Sequence, residues 1–381
     1  MIDFRYHLVS LISVFLALAV GIALGAGPLK ETIGDTLTGQ VDQLRTEKEQ
    51  LRADLDAATA DLDRTEAAMD AVAPSVLDGV LAERRIAVIE LADVGPDVLE
   101  QVVARLEQSG ASVTATVQVT DAWTDPDRLS FRQGLSGTLV EMLDPAPADD
   151  AGTGTELAEA LVQGLTTPVP TDPDALGENA GIVLELLAGD AGLIEIEGEV
   201  TVPADAVVVL AGPTVSVEEV EAETSAQESL EPEDAAAAED LLEAQLGAAV
   251  QIVTAAQERS EGVVVAGGEL TEPSLIARLR AGEATLSRIS TVEAVNTVVG
   301  QVSVPLALGA RIGGTVGHYG PSPDATAVMP RRVELPPIVR TAGLALDDAA
   351  TNDAATNDAA TNDAATDPGT SGGGATDPAD G

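Results

Sequence analysis

The chain has 381 residues, 45% of them hydrophobic, and a formal net charge of −45 from 64 acidic against 19 basic side chains. Such an acidic excess repels phosphate backbones, and aromatics at 2% leave few stacking platforms, so no nucleic acid is expected as a partner. The lack of cysteine excludes disulfide staples, zinc ribbons and thiolate copper sites, and the length suits one large or two small domains with an aliphatic core.

The first predicted element is "LVSLISVFLALAVGIALGA", nineteen uncharged positions at residues 8–26. As a helix rising about 1.5 Å per residue it nearly spans a hydrocarbon core of about 30 Å, so it can cross a bilayer in contact with lipid. A secretory signal has a shorter apolar core, roughly 7–15 residues, and a small-residue cleavage site, for which "ALGAG" is the only candidate. Retention is therefore expected, with residues 1–29 forming a short N-terminus plus transmembrane anchor. Asp3 and Arg5 before the run and Lys30 and Glu31 after it give no charge asymmetry to orient it. A short leading segment and a long acidic remainder fit a signal anchor with the bulk outside the cytoplasm. Ser13, Ala17, Gly21 and Gly25 recur every fourth residue as a ridge of small side chains, which permits close helix association. The competing explanation is that such residues are common in membrane helices.

A stalk is predicted over residues 30–74. Val41, Leu44, Lys48, Leu51, Leu55, Ala58, Leu62, Thr65, Met69 and Val72 alternate at spacings of three and four, a heptad seam weakened by Lys48, Ala58 and Thr65. A parallel coiled-coil homo-oligomer continuing the membrane ridge is one reading. A lone helix packed on the following domain is the other. Pro74 is expected to end the pattern.

From residue 83 to 340 the texture becomes that of an α/β domain. An apolar run at residues 86–91, an amphipathic stretch at 98–106 and a second run at 113–119 make a strand–helix–strand unit. "ADAVVVLAGP", a long helical stretch at 233–257, and "EGVVVAGGEL" followed by residues 273–279 repeat the alternation. Strands that are apolar throughout imply a mainly parallel sheet covered on both faces. "TELAEALVQGL" and "DALGENAGIVLELLAG" read as helices of the same layers, and "LIEIEGEV" as an alternating edge strand. After residue 347 the repeat "DAATN" and a Gly-rich end carry nothing larger than alanine to bury, so residues 347–381 are expected to be a disordered acidic tail.

Residues 83–340 contain no lysine, which removes Walker-type P-loop and Schiff-base chemistry. "QGLSGT" is not a G-x-S-x-G elbow, so a hydrolase triad would depend on the domain's one histidine. No catalytic residue and no cofactor are assigned. Gly267 and Gly268 in "VAGGEL" sit at the carboxyl end of a predicted parallel strand, where open α/β sheets bind ligands; they are either a ligand loop or a tightly packed turn. "ARIGGTVGHYGPSP" surrounds His318, Tyr319 and Gly320 with glycines. His318 there is either a hydrogen-bonded structural residue or a base or metal ligand, and this loop is the best single candidate site. Met69, Met142 and Met329 are far apart in sequence, and no copper-binding set is evident.

The opening "MIDFRYHLVSLISVFLALAVGIALGAGPL", the seam after it, and "ISTVEAVNTVVGQVSVPLALGARIGGTVGHYG" together resemble the mycobacterial copper transport outer-membrane protein family, MctB-like, of actinobacteria. The resemblance covers about residues 1–320. It implies an envelope membrane protein acting in copper efflux or tolerance, with copper ions as a partner, pore formation proposed for the family, and an outer-membrane location. Thr291, Val292, Gly300, Tyr319 and Gly320 fall in family-like motifs without an assigned role. A spanning barrel needs many alternating segments of about ten residues, and only "VTATVQVT" and "LIEIEGEV" alternate. The residues themselves favour a bitopic coiled-coil scaffold whose α/β domain binds a protein or wall polymer, and an extracytoplasmic enzyme is a third, weaker reading.

Overall fold

The computed structural model describes residues 4–26, 28–92, 94–212, 232–268, 270, 273–282 and 286–340. The acidic tail and residues 213–231 lie outside the described residues. Two helices open the chain, α1 (Phe4–Ala26) and α2 (Pro28–Leu77). Within α1, Phe4–Ala23 is the one stretch among the described residues long and apolar enough to cross a membrane, and none of it is buried in the protein. Pro28 opens α2 where its missing N–H costs nothing.

Along α2 the seam residues Val41, Leu44, Leu51, Leu55, Leu62 and Val72 all stay exposed in the single chain. Pro74, where the heptad pattern was expected to end, does not end the helix itself. The ring removes one donor near the end, but Asp78 N–H still donates to the Pro74 carbonyl at 3.0 Å and helical turns run to Leu77. Packing explains the continuation, because Ala73 and Leu77 are fully buried against the domain. The last turns of α2 therefore belong to the core rather than to a free stalk.

The domain is a seven-stranded sheet with strand order β5-β2-β1-β6-β7-β8-β9. The strands are β1 (Arg85–Glu90), β2 (Ser112–Val119), β5 (Ile194–Ile196), β6 (Ala206–Ala211), β7 (Val263–Gly267), β8 (Ser290–Val292) and β9 (His318–Tyr319). All neighbours are parallel except β5, which runs antiparallel along the β2 edge. Side chains alternate between two cores. Ala87, Ile89, Val207, Val209, Val263 and Val265 meet α4 (Leu129–Leu139), α5 (Thr153–Thr166), α6 (Glu178–Ala188), α7 (Pro232–Arg259) and α8 (Leu275–Ala281). Ile86, Val88, Val208, Val264 and Val292 meet the end of α2, α3 (Pro96–Gln108) and α9 (Val298–Ile312). Both faces are thus covered, which is why β1, β6 and β7 read as unbroken apolar runs. Each fully buried Val, Leu or Ile side chain is worth roughly 1.5–3 kcal/mol.

Three local readings change. The stretch "DALGENAGIVLELLAG" is not helical throughout: β4 (Asp172–Leu176) pairs with β3 (Pro168–Val169), and α6 starts only after Gly177. Pro173 has no N–H to give a helix, and the Asp174 N–H is taken by the Asp172 carboxylate at 3.0 Å. Helix α4 and helix α9, the latter buried from Gly300 to Ala310 and containing Pro305, were not marked by the sequence patterns. A C-terminal strap, residues 328–340, crosses the amino ends of β1 and β6. Arg332 donates to the Val76 carbonyl, Arg84 to that of Pro336, and Arg340 to the Glu83 carbonyl and the Asp205 carboxylate.

Candidate functional site

Strand register builds the site around His318. Thr291 pairs with His318 and Val292 with Tyr319 across β8 and β9. Period two then puts Thr291, Glu293 and His318 on the sheet face covered by α8, while Val292 and Tyr319 point to the α9 core. Helix α8 starts at Ser274, whose hydroxyl accepts from the Ala277 N–H at 3.2 Å, and it delivers Arg280 from its last turn.

Arg280 and Glu293 form an ion pair with side chains 7% and 1% exposed. Arg280 Nε donates to Thr291 Oγ1 at 3.0 Å, and Nη1 to Ser322 Oγ at 3.0 Å. Glu293 also accepts from the Ser322 N–H at 3.2 Å and from the Ser322 hydroxyl, and Asp324 stands 3.7 Å from Arg280. Thr291 Oγ1 lies 3.0 Å from His318 Nδ1. With one lone pair taken by Arg280, the Thr291 hydroxyl still has its own proton and a second lone pair, so it can pair with Nδ1 of either His318 tautomer. Burial, helped by the Arg280 charge and opposed by Asp324 and Glu293, holds His318 below the ordinary imidazole range. Burial raises Tyr319, and the hydrogen bond from Ser322 lowers Asp324.

Gly320 has φ 148, and a Cβ there would lie 2.5 Å from Glu293 Cβ. Only glycine lets the loop close over the buried carboxylate. His318 and Gly320 thus flank an acid–base network while Tyr319 packs in the core on the other face, and His318 presents Nδ1 to a hydroxyl rather than to a free coordination position. The network is suited to holding the β9 edge, the loop after it through Ser322 and Asp324, and α8 together.

Gly267 and Gly268 lie at the carboxyl end of β7. Their carbonyls accept from the Val295 and Ala294 N–H groups, both at 2.9 Å. A Cβ on Gly267 would come 2.9 Å from the Ala211 carbonyl oxygen, so close backbone packing accounts for that glycine. Since Ala294 follows Glu293 directly, the two candidate loops meet through one segment, a link the spacing of "VAGGEL" and "GHYG" did not reveal. Ser13, Ala17, Gly21 and Gly25 are all within α1. Ser13 Oγ donates to the Val9 carbonyl at 2.8 Å, and nothing lies within 4 Å of a Cβ on Gly21.

Sequence reasoning missed Arg280, Glu293 and Ser322. The available signal was Glu293 itself, an acidic residue at the end of an otherwise uncharged strand. Among the described residues, no group of three or more His, Asp or Glu side chains is placed to hold a metal ion. Met142 packs with the core on one face of the sheet and Met329 with that on the other.

A family model described as "Copper transport outer membrane protein, MctB" matches residues 1–330. The chain belongs to the MctB family. Relatives include the copper transporter MctB of Mycobacterium leprae (strain TN), 31% identical over 344 residues, covering 86% of this chain and 99% of that protein. The copper transporter MctB of Mycobacterium tuberculosis (strain ATCC 25618 / H37Rv) is 26% identical over 334 residues, with 86% and 99% covered. The MctB match takes in α1, α2, every strand of the sheet and the His318 loop.

Proposed function

We propose that this chain is an envelope membrane protein acting in copper transport and copper tolerance, held in the membrane by α1 with its α/β domain outside the cytoplasm. The observation that carries the reading is the family match over residues 1–330, which includes the apolar helix and the domain alike. Copper is cargo in this reading, and the protein is not an enzyme. An outer-membrane location rests on the family description alone.

The sheet is covered by helices on both faces and so offers no lipid-facing strands. A passage would therefore need several copies of α1 side by side, packed through Ser13, Ala17, Gly21 and Gly25, with Ser10 and Ser13 its only polar side chains beyond residue 7. The exposed seam of α2 supports self-association next to that ridge, as a coiled coil of identical chains. The same seam favours a second reading, a bitopic scaffold that binds a protein or wall polymer without moving copper.

Growth of a deletion strain in rising copper separates the two. The copper reading expects sensitivity restored by the full chain but not by a secreted form lacking α1. Normal copper tolerance combined with altered envelope permeability to several solutes would favour the scaffold.

A further inference from the structure

A cavity of about 320 Å³ opens between α4, α5 and α7, on the sheet face away from α9. It lies beyond the carboxyl end of β2 and shares no residue with the His318 network. Trp123, Leu129 and Leu157 give it apolar walls, and α7 contributes the small residues Ala244, Gly247 and Ala248. Its size falls at the lower end for small-molecule sites.

The unusual member is Arg132, only 8% exposed. Arginines with comparably buried side chains each have a carboxylate: Arg84 faces Glu261 at 3.5 Å, Arg105 is paired with Asp70, and Arg280 with Glu293. Arg132 has no ion pair among the described residues, in a chain with 64 acidic side chains to choose from. Its Nη1 is fixed by the carbonyls of Ala122 at 3.0 Å and Asp125 at 2.6 Å. Nε and Nη2 have no partner among the described residues, and the side chain lines the cavity. Burial and the neighbouring Arg128 weaken its hold on the proton, with Asp125 opposing. A guanidinium fixed at one nitrogen, with the other two open to solvent in the cavity, is half of a fork for a carboxylate.

The other half is the start of α5. Gly152 caps that helix without a side-chain hydrogen bond, and Thr153 and Gly154 line the cavity beside Gln251, whose side-chain amide lies against Gly154 at the first turn. We propose that this cavity binds a small organic carboxylate with a flat apolar body, its carboxylate between Arg132 and the amino end of α5 and its body against Trp123 and the small-residue wall of α7. The site is independent of the copper reading.

Trp123 is the only tryptophan in the chain, so its fluorescence reports the cavity directly. The test titrates the full chain in detergent with benzoate, with neutral benzamide, and with inorganic phosphate. A saturable change with benzoate is expected, at least about tenfold tighter than with benzamide or phosphate. Arg132→Gln should weaken benzoate by about tenfold or more, and Arg132→Lys by less. Gly247→Leu leaves the guanidinium intact and fills open space, since nothing lies within 4 Å of a Cβ there, and should abolish the response with the melting curve unchanged. A response that never saturates, equal binding of benzamide or phosphate, or undiminished binding by folded Gly247→Leu would each overturn the proposal.

Discussion

Replacing Glu293 by Gln keeps the shape of the side chain and removes its charge, which isolates the electrostatic part of the His318 network. In the native protein Arg280, with its side chain 7% exposed, is neutralised by Glu293, and the remaining carboxylate, Asp324, is 3.7 Å away and 59% exposed. An exposed partner at that distance is worth at most about 1 kcal/mol. Breaking a buried pair from one side costs about 3–5 kcal/mol because the other charge stays buried. The variant should therefore lose about that much stability, lowering the melting temperature by roughly 6–20 °C at 2–4 °C per kcal/mol. Urea unfolding of the full chain in detergent, followed by circular dichroism, measures it. The double variant Arg280→Met, Glu293→Met should recover part of the loss, since it leaves no stranded charge. A Glu293→Gln protein within about 0.5 kcal/mol of the parent would refute the assignment of this pair as a buried, mutually dependent unit.

Protonation of His318 should be visible as pH dependence. The folded state holds this group below its ordinary value of 6.5, so the unfolded chain takes up the proton first. Stability from this group is full above about pH 6.5 and declines as pH falls through the unfolded and then the folded value; His318→Gln should flatten urea midpoints measured across that window. Gly320→Ala should cost roughly 2–4 kcal/mol from its positive φ and the contact with Glu293, measured by the same unfolding curves. Changing Leu51 and Leu55 together to Asp should weaken self-association of the full chain by at least about tenfold, read by sedimentation, while the melting of the α/β domain stays put.

The layered fold was legible because its strands are buried on both sides. Ile86, Val88 and Ile89, the valines of "ADAVVVLAGP" and those of "EGVVVAGG" advertise a covered parallel sheet without tertiary information, and the alternation in "LIEIEGEV" marked the antiparallel edge. Short elements were not legible. Strands β8 and β9 have three and two residues, too few for periodicity, and only their register shows that Thr291 neighbours His318. Helix α9 is buried through its middle, with Gln301 and Ser303 among its buried residues, and contains Pro305, so it lacks both a clean amphipathic stripe and an uninterrupted propensity signal. The run of α2 past Pro74 was not legible either, because the seam stops there and burial of Ala73 and Leu77, which outweighs one missing hydrogen bond, shows only in the packed domain. Arg280 was invisible for a different reason: its significance lies in a partner thirteen residues away across a loop. Of the seam of α2, Val41, Leu44, Leu51, Leu55, Leu62 and Val72 are exposed in the single chain.

The most direct test of the copper reading is cell-associated copper in a strain lacking this gene, compared with the parent and a complemented strain at low and high external copper. The account predicts accumulation in the deletion strain at high external copper, reversed by complementation and not shared by zinc. Equal copper content in all three strains at both concentrations would contradict it.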